Sequence, residues 1–269
     1  MVKIIVGDYM NSVNKTLYIP LYGKSYVSEK GIILNDKKAQ EIWAKEGFKL
    51  KGKSKSKWLA YYMGIRSAVF DELVKKQIDI CADGVVIHIG CGLDTRVERV
   101  GTNNHKWYDV DFPDVIKERK LYYRENEYYT MLEGDARNCS WLAEIPKNIN
   151  AIIVMEGISM YLTESELKGL INSLKTHFSS INMLMDCYTE LSAKMSKHRN
   201  PINDVGVTEV YGFDDPKAFE VDDFTFIQEH NMTPDKYVNQ LKGMEKLIFK
   251  KLYAGNLSKK MYRLYEFKR

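Results

Sequence analysis

The turn Gly90-Cys91-Gly92-Leu93-Asp94, entered directly from the run Val85-Val86-Ile87-His88-Ile89, constrains this chain more than any other segment. β-Branched residues favour an extended strand. Two glycines one residue apart then allow a sharp turn and remove the side chains that would hold a ligand away from the main chain. In an open α/β sheet such a turn sits at the carboxyl end of a strand, beside the crevice where ligands bind. Residues Thr95 to Val100 can open a helix whose free N–H groups face the same space. A dinucleotide fingerprint would want a third glycine at position 95, where this chain has Thr95. The segment therefore predicts a nucleotide-like ligand other than a dinucleotide.

The following strands sharpen the expectation. Trp107 to Phe112 reads as a second strand, stopped by Pro113, which cannot continue a ladder. Asp111 lies about twenty residues beyond the glycines, where an acid can accept bonds from ribose hydroxyls. Tyr128 to Asp135 and Ala151 to Gly157 read as third and fourth strands, ending in Asp135 and Glu156. Asp94, Asp111, Asp135 and Glu156 thus fall at four successive strand ends, which share one crevice in a parallel sheet. Asp109 lies two residues before Asp111 on the same strand face and competes with it for the ribose. A ligand with a ribose, an amino-bearing ring and a positive charge suits this set, and S-adenosylmethionine has all three.

These residues carry a family likeness. The segments Thr16 to Lys24, Ile65-Arg66, His88 to Arg96, Asp109 to Pro113, Glu156-Gly157-Ile158-Ser159-Met160-Tyr161-Leu162 and Tyr211 to Pro216 together make the chain resemble the leucine carboxyl methyltransferase family, in particular its bacterial, polyketide-modifying branch. His88 and Cys91 depart from the usual residues of that pattern without altering the turn. The resemblance implies an α/β, Rossmann-like class I S-adenosylmethionine-dependent methyltransferase fold with a mostly parallel seven-stranded sheet. It also implies that Lys24 and Arg66 reach the methionine carboxylate of the cofactor and that Glu156 lies near its amino group. Gly90 and Gly92 would admit the cofactor against the main chain. Asp111 would hold the ribose, and Asp135 with the backbone at Ala136 would meet the adenine amino group. Asp94 is read either as an acceptor of loop N–H bonds or as a ligand contact.

Composition sets limits on the remaining classes. At 269 residues, 45% hydrophobic and 28% charged, the chain can bury a sizeable core and is no disordered segment. No apolar run approaches the roughly 20 residues that span a bilayer, and the N-terminus lacks a signal-peptide core. A cytoplasmic location and no membrane partner are expected on that ground. Cys81, Cys91, Cys139 and Cys187 show no paired spacing and read as reduced, buried small hydrophobes. The five histidines have no metal-ligand spacing, so no metal is expected. A net charge of +4 is too small to imply nucleic acid. Lys49, Lys51, Lys53, Lys55 and Lys57 alternate through a Gly/Ser-containing stretch, read as a solvated loop or as a lid attracting an anionic substrate.

The organisation expected is a single domain. Residues 1–80 form a helical N-terminal cap, 81–187 the cofactor-binding sheet core, 188–225 a lid insertion after the fifth strand, and 226–269 the completion of the sheet. Strands are expected near 84–90, 106–111, 128–133, 150–155, 181–187, 224–229 and 261–267. Thr163 and Glu166 form a capping box that starts a helix. The expected activity is transfer of a methyl group to a carboxylate or hydroxyl oxygen of a small-molecule or peptide acceptor. A hydroxyl acceptor would need a base, for which His198, Tyr161 and Tyr188 are the nearest candidates. A nicotinamide-dependent oxidoreductase and a non-catalytic cofactor-binding protein are the alternatives. The sequence specifies no oligomeric state.

Overall fold

The computed structural model describes residues 14–46, 48–50, 52–81, 83–199 and 209–269. Seven strands form one sheet: β1 (Gly84–Ile89), β2 (Lys106–Asp111), β3 (Tyr129–Glu133), β4 (Asn150–Met155), β5 (Ser180–Tyr188), β6 (Thr225–His230) and β7 (Tyr262–Lys268). Each lies within one residue of its expected bounds at either end. The order across the sheet is β3-β2-β1-β4-β5-β7-β6. The first five strands pair in parallel, whereas β7 runs antiparallel to β5 and β6. The chain moves outward from β1 through β2 to β3, then returns to lay β4 on the other flank of β1. That reversal opens a crevice at the carboxyl ends of β1 and β4.

The strands alternate their apolar side chains between two cores, as a sheet covered on both faces requires. On β1, Val86 packs into one layer while Val85, Ile87 and Ile89 pack into the other. The first layer receives α1 (Tyr18–Glu29), α2 (Lys37–Glu46) and α3 (Lys57–Ile80). Pro20 is tolerated in α1 because it lies in the first turn, where its missing N–H has no helical partner. Asp36 Oδ1 accepts from the Ala39 N–H at 2.8 Å and starts α2. The opposite layer receives α6 (Glu164–His177), which opens on the expected capping box of Thr163 and Glu166. Shorter helices follow β1 and β2: α4 (Arg96–Val100) and α5 (Pro113–Arg119), the latter with Pro113 at its start.

The segment 188–225 divides in two. Its first part is α7 (Glu190–Arg199), followed by residues outside those described. From Val210 onward it packs against the body: the Phe213 N–H donates to Tyr188 O at 2.7 Å, and Phe219 and Phe224 are buried. The chain then adds α8 (Asp235–Val238), α9 (Gly243–Tyr253) and α10 (Asn256–Lys259) before β7. Among the described residues no helix is long and apolar enough to cross a membrane. The lysine stretch forms a short 3-10 turn, Gly52–Lys55, leading into α3, with Lys49, Lys53, Lys55 and Lys57 exposed. Lys51 and the side chain of His198 lie outside the described residues.

Candidate cofactor site

A cavity of about 700 Å³ lies over the carboxyl ends of β1, β2 and β4. Lys24, Arg66, Gly90, Gly92, Asp111, Asp135, Ala136 and Glu156 all line it.

The glycine turn is shaped by its backbone. Gly90 and Gly92 have φ of 71° and 51°, values that side-chain-bearing residues adopt only at a cost. A Cβ at position 90 would also come within 2.6 Å of Ile158 Cδ1. The Gly90 N–H donates to Val110 O at 2.8 Å, which ties the turn to β2. Asp111, the last residue of β2, accepts from the Gly92 N–H at 2.7 Å and from the Phe112 N–H at 2.8 Å. Burial pushes its carboxyl above the usual range, against the pull of those two N–H groups.

Asp109 is used quite differently. It is fully buried, away from the cavity, and accepts from Tyr129 Oη at 2.7 Å and Trp107 Nε1 at 2.9 Å, with an ion pair to Arg119. Burial raises its carboxyl, but Arg119 and His88 outweigh that and hold it at about 2. The two acids share one strand face, but of the pair only Asp111 borders the cavity. Arg119 also donates to the carbonyls of Gly92 at 3.1 Å and Asp94 at 2.6 Å, holding the outer side of the turn. Nothing in the sequence pointed to Arg119, because its partners come from β2, β3 and the glycine turn.

At the other flank, charges are matched in pairs. Lys24 Nζ lies 2.5 Å from Asp94 Oδ2, and Asp94 Oδ1 accepts from the Arg96 N–H at 2.6 Å. Asp94 thus braces the loop by accepting one of its N–H groups, with Lys24 and Arg99 on its carboxylate. Glu156, at the end of β4, faces Arg66 Nε at 3.0 Å and pairs with Arg96. Burial raises the Glu156 carboxyl, but Arg96 and Arg66 hold it at about 2. Asp135 is clamped by Arg137, 2.6 Å from Nη2 to Oδ2, and accepts the Arg137 N–H at 2.9 Å. Burial raises this carboxyl too, but the Arg137 bonds outweigh it and draw it below its usual value.

Against the lining residues, though not bordering the cavity itself, lies a fifth acid that the sequence reading passed over. Asp186, inside β5 rather than at its end, accepts from the Gly157 N–H at 2.7 Å and Tyr262 Oη at 2.6 Å. Arg66 Nη1 lies 3.4 Å from its Oδ2 and donates to Tyr262 Oη at 3.0 Å. Burial raises the Asp186 carboxyl to about 6, and Arg66 only partly opposes it. Its signal was its phase with the four other strand acids, obscured because β5 continues two residues past it.

The remaining wall is apolar and aromatic: Tyr62 and Met63 from α3, Tyr161, Tyr188, Met195 from α7, and Tyr253 and Tyr262 from the C-terminal segment. The sequence reading gave that last segment only a part in the sheet. None of the described lysines of the 49–57 stretch borders the cavity. Among the described residues no group of His, Cys, Asp or Glu is arranged to hold a metal, and the four cysteines are unpaired.

This geometry accords with the comparisons to known proteins. The chain is 27% identical over 186 residues to the tetracenomycin polyketide synthesis O-methyltransferase TcmP of Streptomyces glaucescens, covering 68% of this chain and 69% of that one. It is 23% identical over 234 residues to the S-adenosyl-L-methionine-dependent methyltransferase dpfgK of Gibberella zeae, covering 78% of each. In fold it is similar to the magnesium protoporphyrin IX methyltransferase ChlM of Synechocystis, solved with bound SAH. That match has a TM-score of 0.52 at 13% identity, over 95% of this chain and 99% of that one. The sequence model for leucine carboxyl methyltransferase matches residues 21–175, from α1 to α6, and the chain belongs to the leucine carboxyl methyltransferase family.

Proposed function

We propose that the chain is an S-adenosylmethionine-dependent O-methyltransferase acting on a small, largely apolar acceptor. The observation that carries this reading is the division of one cavity into a charged end and an aromatic end. The charged end holds carboxylates and cations in nearly equal number: Lys24, Arg66, Asp94, Asp111 and Glu156. Such a donor set matches a zwitterionic methionine moiety joined to a ribose. Arg66 suits the carboxylate, since its planar fork is bidentate, with Lys24 as the second cation. Glu156 suits the ammonium group, because it stays ionised. Asp111 suits the ribose hydroxyls: two backbone N–H groups fix its carboxylate at the cavity's edge. Asp135 and the Ala136 backbone suit the adenine amino group, and the positive-φ glycines leave the main chain open to close approach.

When bound, the cofactor supplies an electrophilic methyl group on a sulfonium. The protein's share is placement, since a displacement needs donor and acceptor held in line and away from water. Tyr62, Met63, Tyr161, Tyr188 and Tyr262 form a wall suited to an aromatic or polyketide-like acceptor. That two relatives are named as methyltransferases, one of them for a polyketide oxygen, supports the same reading. The test is transfer of a labelled methyl group from S-adenosylmethionine to a panel of aromatic acids and phenols. Labelled ester or ether is the expected product. Transfer to amines or thiols alone would place the chain outside O-methylation.

A further inference from the structure

We propose that the outward face of α9, with the lysines around it, docks this protein on an anionic lipid surface. Helical positions i, i+3, i+4, i+7 and i+8 share one stripe. From Met244 that stripe reads Met244, Leu247, Ile248, Lys251 and Leu252. In a helix packed on a body the apolar stripe is turned inward, and here it is turned out. Met244, Leu247 and Leu252 are 68%, 62% and 56% exposed.

The opposite side of α9 holds it in place. Phe249 packs edge-on to Tyr61 with ring centres 6.3 Å apart, and Tyr253 meets Tyr62 at 5.9 Å. Glu245 accepts from Tyr61 Oη at 2.7 Å and pairs with Lys57 at 2.7 Å. The exposed stripe is therefore no consequence of a loosely placed helix.

Two features select the occupant. The first is charge: Lys242, Lys250 and Lys251 are exposed on or beside the stripe, with Lys246 half-buried next to them. The Lys57–Glu245 ion pair joins α9 to the start of α3, next to the exposed Lys49, Lys53 and Lys55 that no part of the cavity uses. An exposed acid nearby, Asp235, lies 3.0 Å from Lys250. A second copy meeting this face across a two-fold axis would set lysines against lysines, whereas an anionic bilayer attracts them and takes up the apolar side chains. The second is position. Leu252 of the stripe lines the cavity, as does Met195 on α7, 57% exposed, so the cavity's edge reaches the stripe. A docked molecule would draw an apolar acceptor from the lipid, and that last step alone rests on the proposed function. The absence of a spanning run, from which no membrane contact was expected, does not bear on a helix lying in the interface.

The test is flotation of the full chain with vesicles of phosphatidylcholine containing about a third phosphatidylglycerol, against phosphatidylcholine alone, without cofactor. Binding is expected to the anionic vesicles only, and to be lost in about 0.5 M salt. The paired variant Met244→Glu/Leu247→Glu should keep the wild-type melting temperature and bind at least about tenfold more weakly. Lys250→Gln/Lys251→Gln should weaken binding while leaving the stripe's apolar side chains Met244, Leu247 and Leu252 in place. No binding to anionic vesicles, or binding unchanged in the paired variant, overturns the proposal. So does a wild-type dimer in sedimentation that the paired variant makes monomeric, which would assign the face to a second copy. Because flotation needs no turnover, its failure and failure of the methyltransferase reading are separate results.

Discussion

Arg119→Met is expected to destabilise the protein by about 3–5 kcal/mol, although Arg119 does not border the cavity. Methionine fills much of the same volume, so the loss comes from groups left without partners. Asp109 would remain buried beside Trp107, Tyr129 and His88 but without Arg119, which together with His88 outweighs burial in keeping its carboxyl low. The carbonyls of Gly92 and Asp94 would lose their donor as well. Thermal and urea unfolding check this, and a loss of that size corresponds to a melting temperature lower by about 10 °C. Adding Asp109→Asn should restore part of the loss, because the buried charge is then gone. A shift within about 1 kcal/mol, the range of an exposed ion pair, would show that Arg119 is no keystone of the turn.

Glu156→Gln is the second large effect. Its carboxyl sits at about 2 in the fold against a usual 4.5. A group lowered in this way stabilises the fold above its unfolded value, and that contribution is lost as pH falls from about 4.5 toward 2. On the order of 3 kcal/mol is at stake, since Arg66 and Arg96 both face this one side chain. The glutamine variant should be less stable at neutral pH and should show a shallower acid slope. Asp109, also held at about 2, keeps its own share of that slope in the variant. Asp186 acts in the opposite sense: raised to about 6 from a usual 3.8, it disfavours the fold as pH rises through that interval. Urea unfolding at a series of pH values separates these contributions. An unchanged slope in Glu156→Gln would mean that the pair is not closed in solution.

The two effects also mark how far the sequence could be read. Strand runs such as Val85–Ile89 and Ala151–Met155 are almost wholly apolar, His88 apart, and are followed by glycine or acid, so their bounds were legible from local chemistry alone. Asp94, Asp111, Asp135 and Glu156 were legible as a group because parallel strands bring equivalent ends together. What each acid faces was not. Asp109 and Asp111 share a strand face, yet one is held inside by an arginine from the next helix while the other reaches the open end. Asp186 escaped notice because β5 runs on past it to meet β7. The wall formed by Leu252, Tyr253 and Tyr262 was equally hidden, since apolar residues at helical spacing serve a core, a cavity or an outer face with the same pattern.

The central claim is that Asp111 and its neighbours hold S-adenosylmethionine. Calorimetric titration of the wild-type chain and of Asp111→Ala tests it most directly. Binding in the micromolar range is expected for the wild type, weakened about tenfold or more in the variant, which corresponds to about 1.4 kcal/mol or more. Absence of both heat and thermal shift in the wild type at millimolar S-adenosylmethionine would contradict the account and assign the strand-end acids to another ligand.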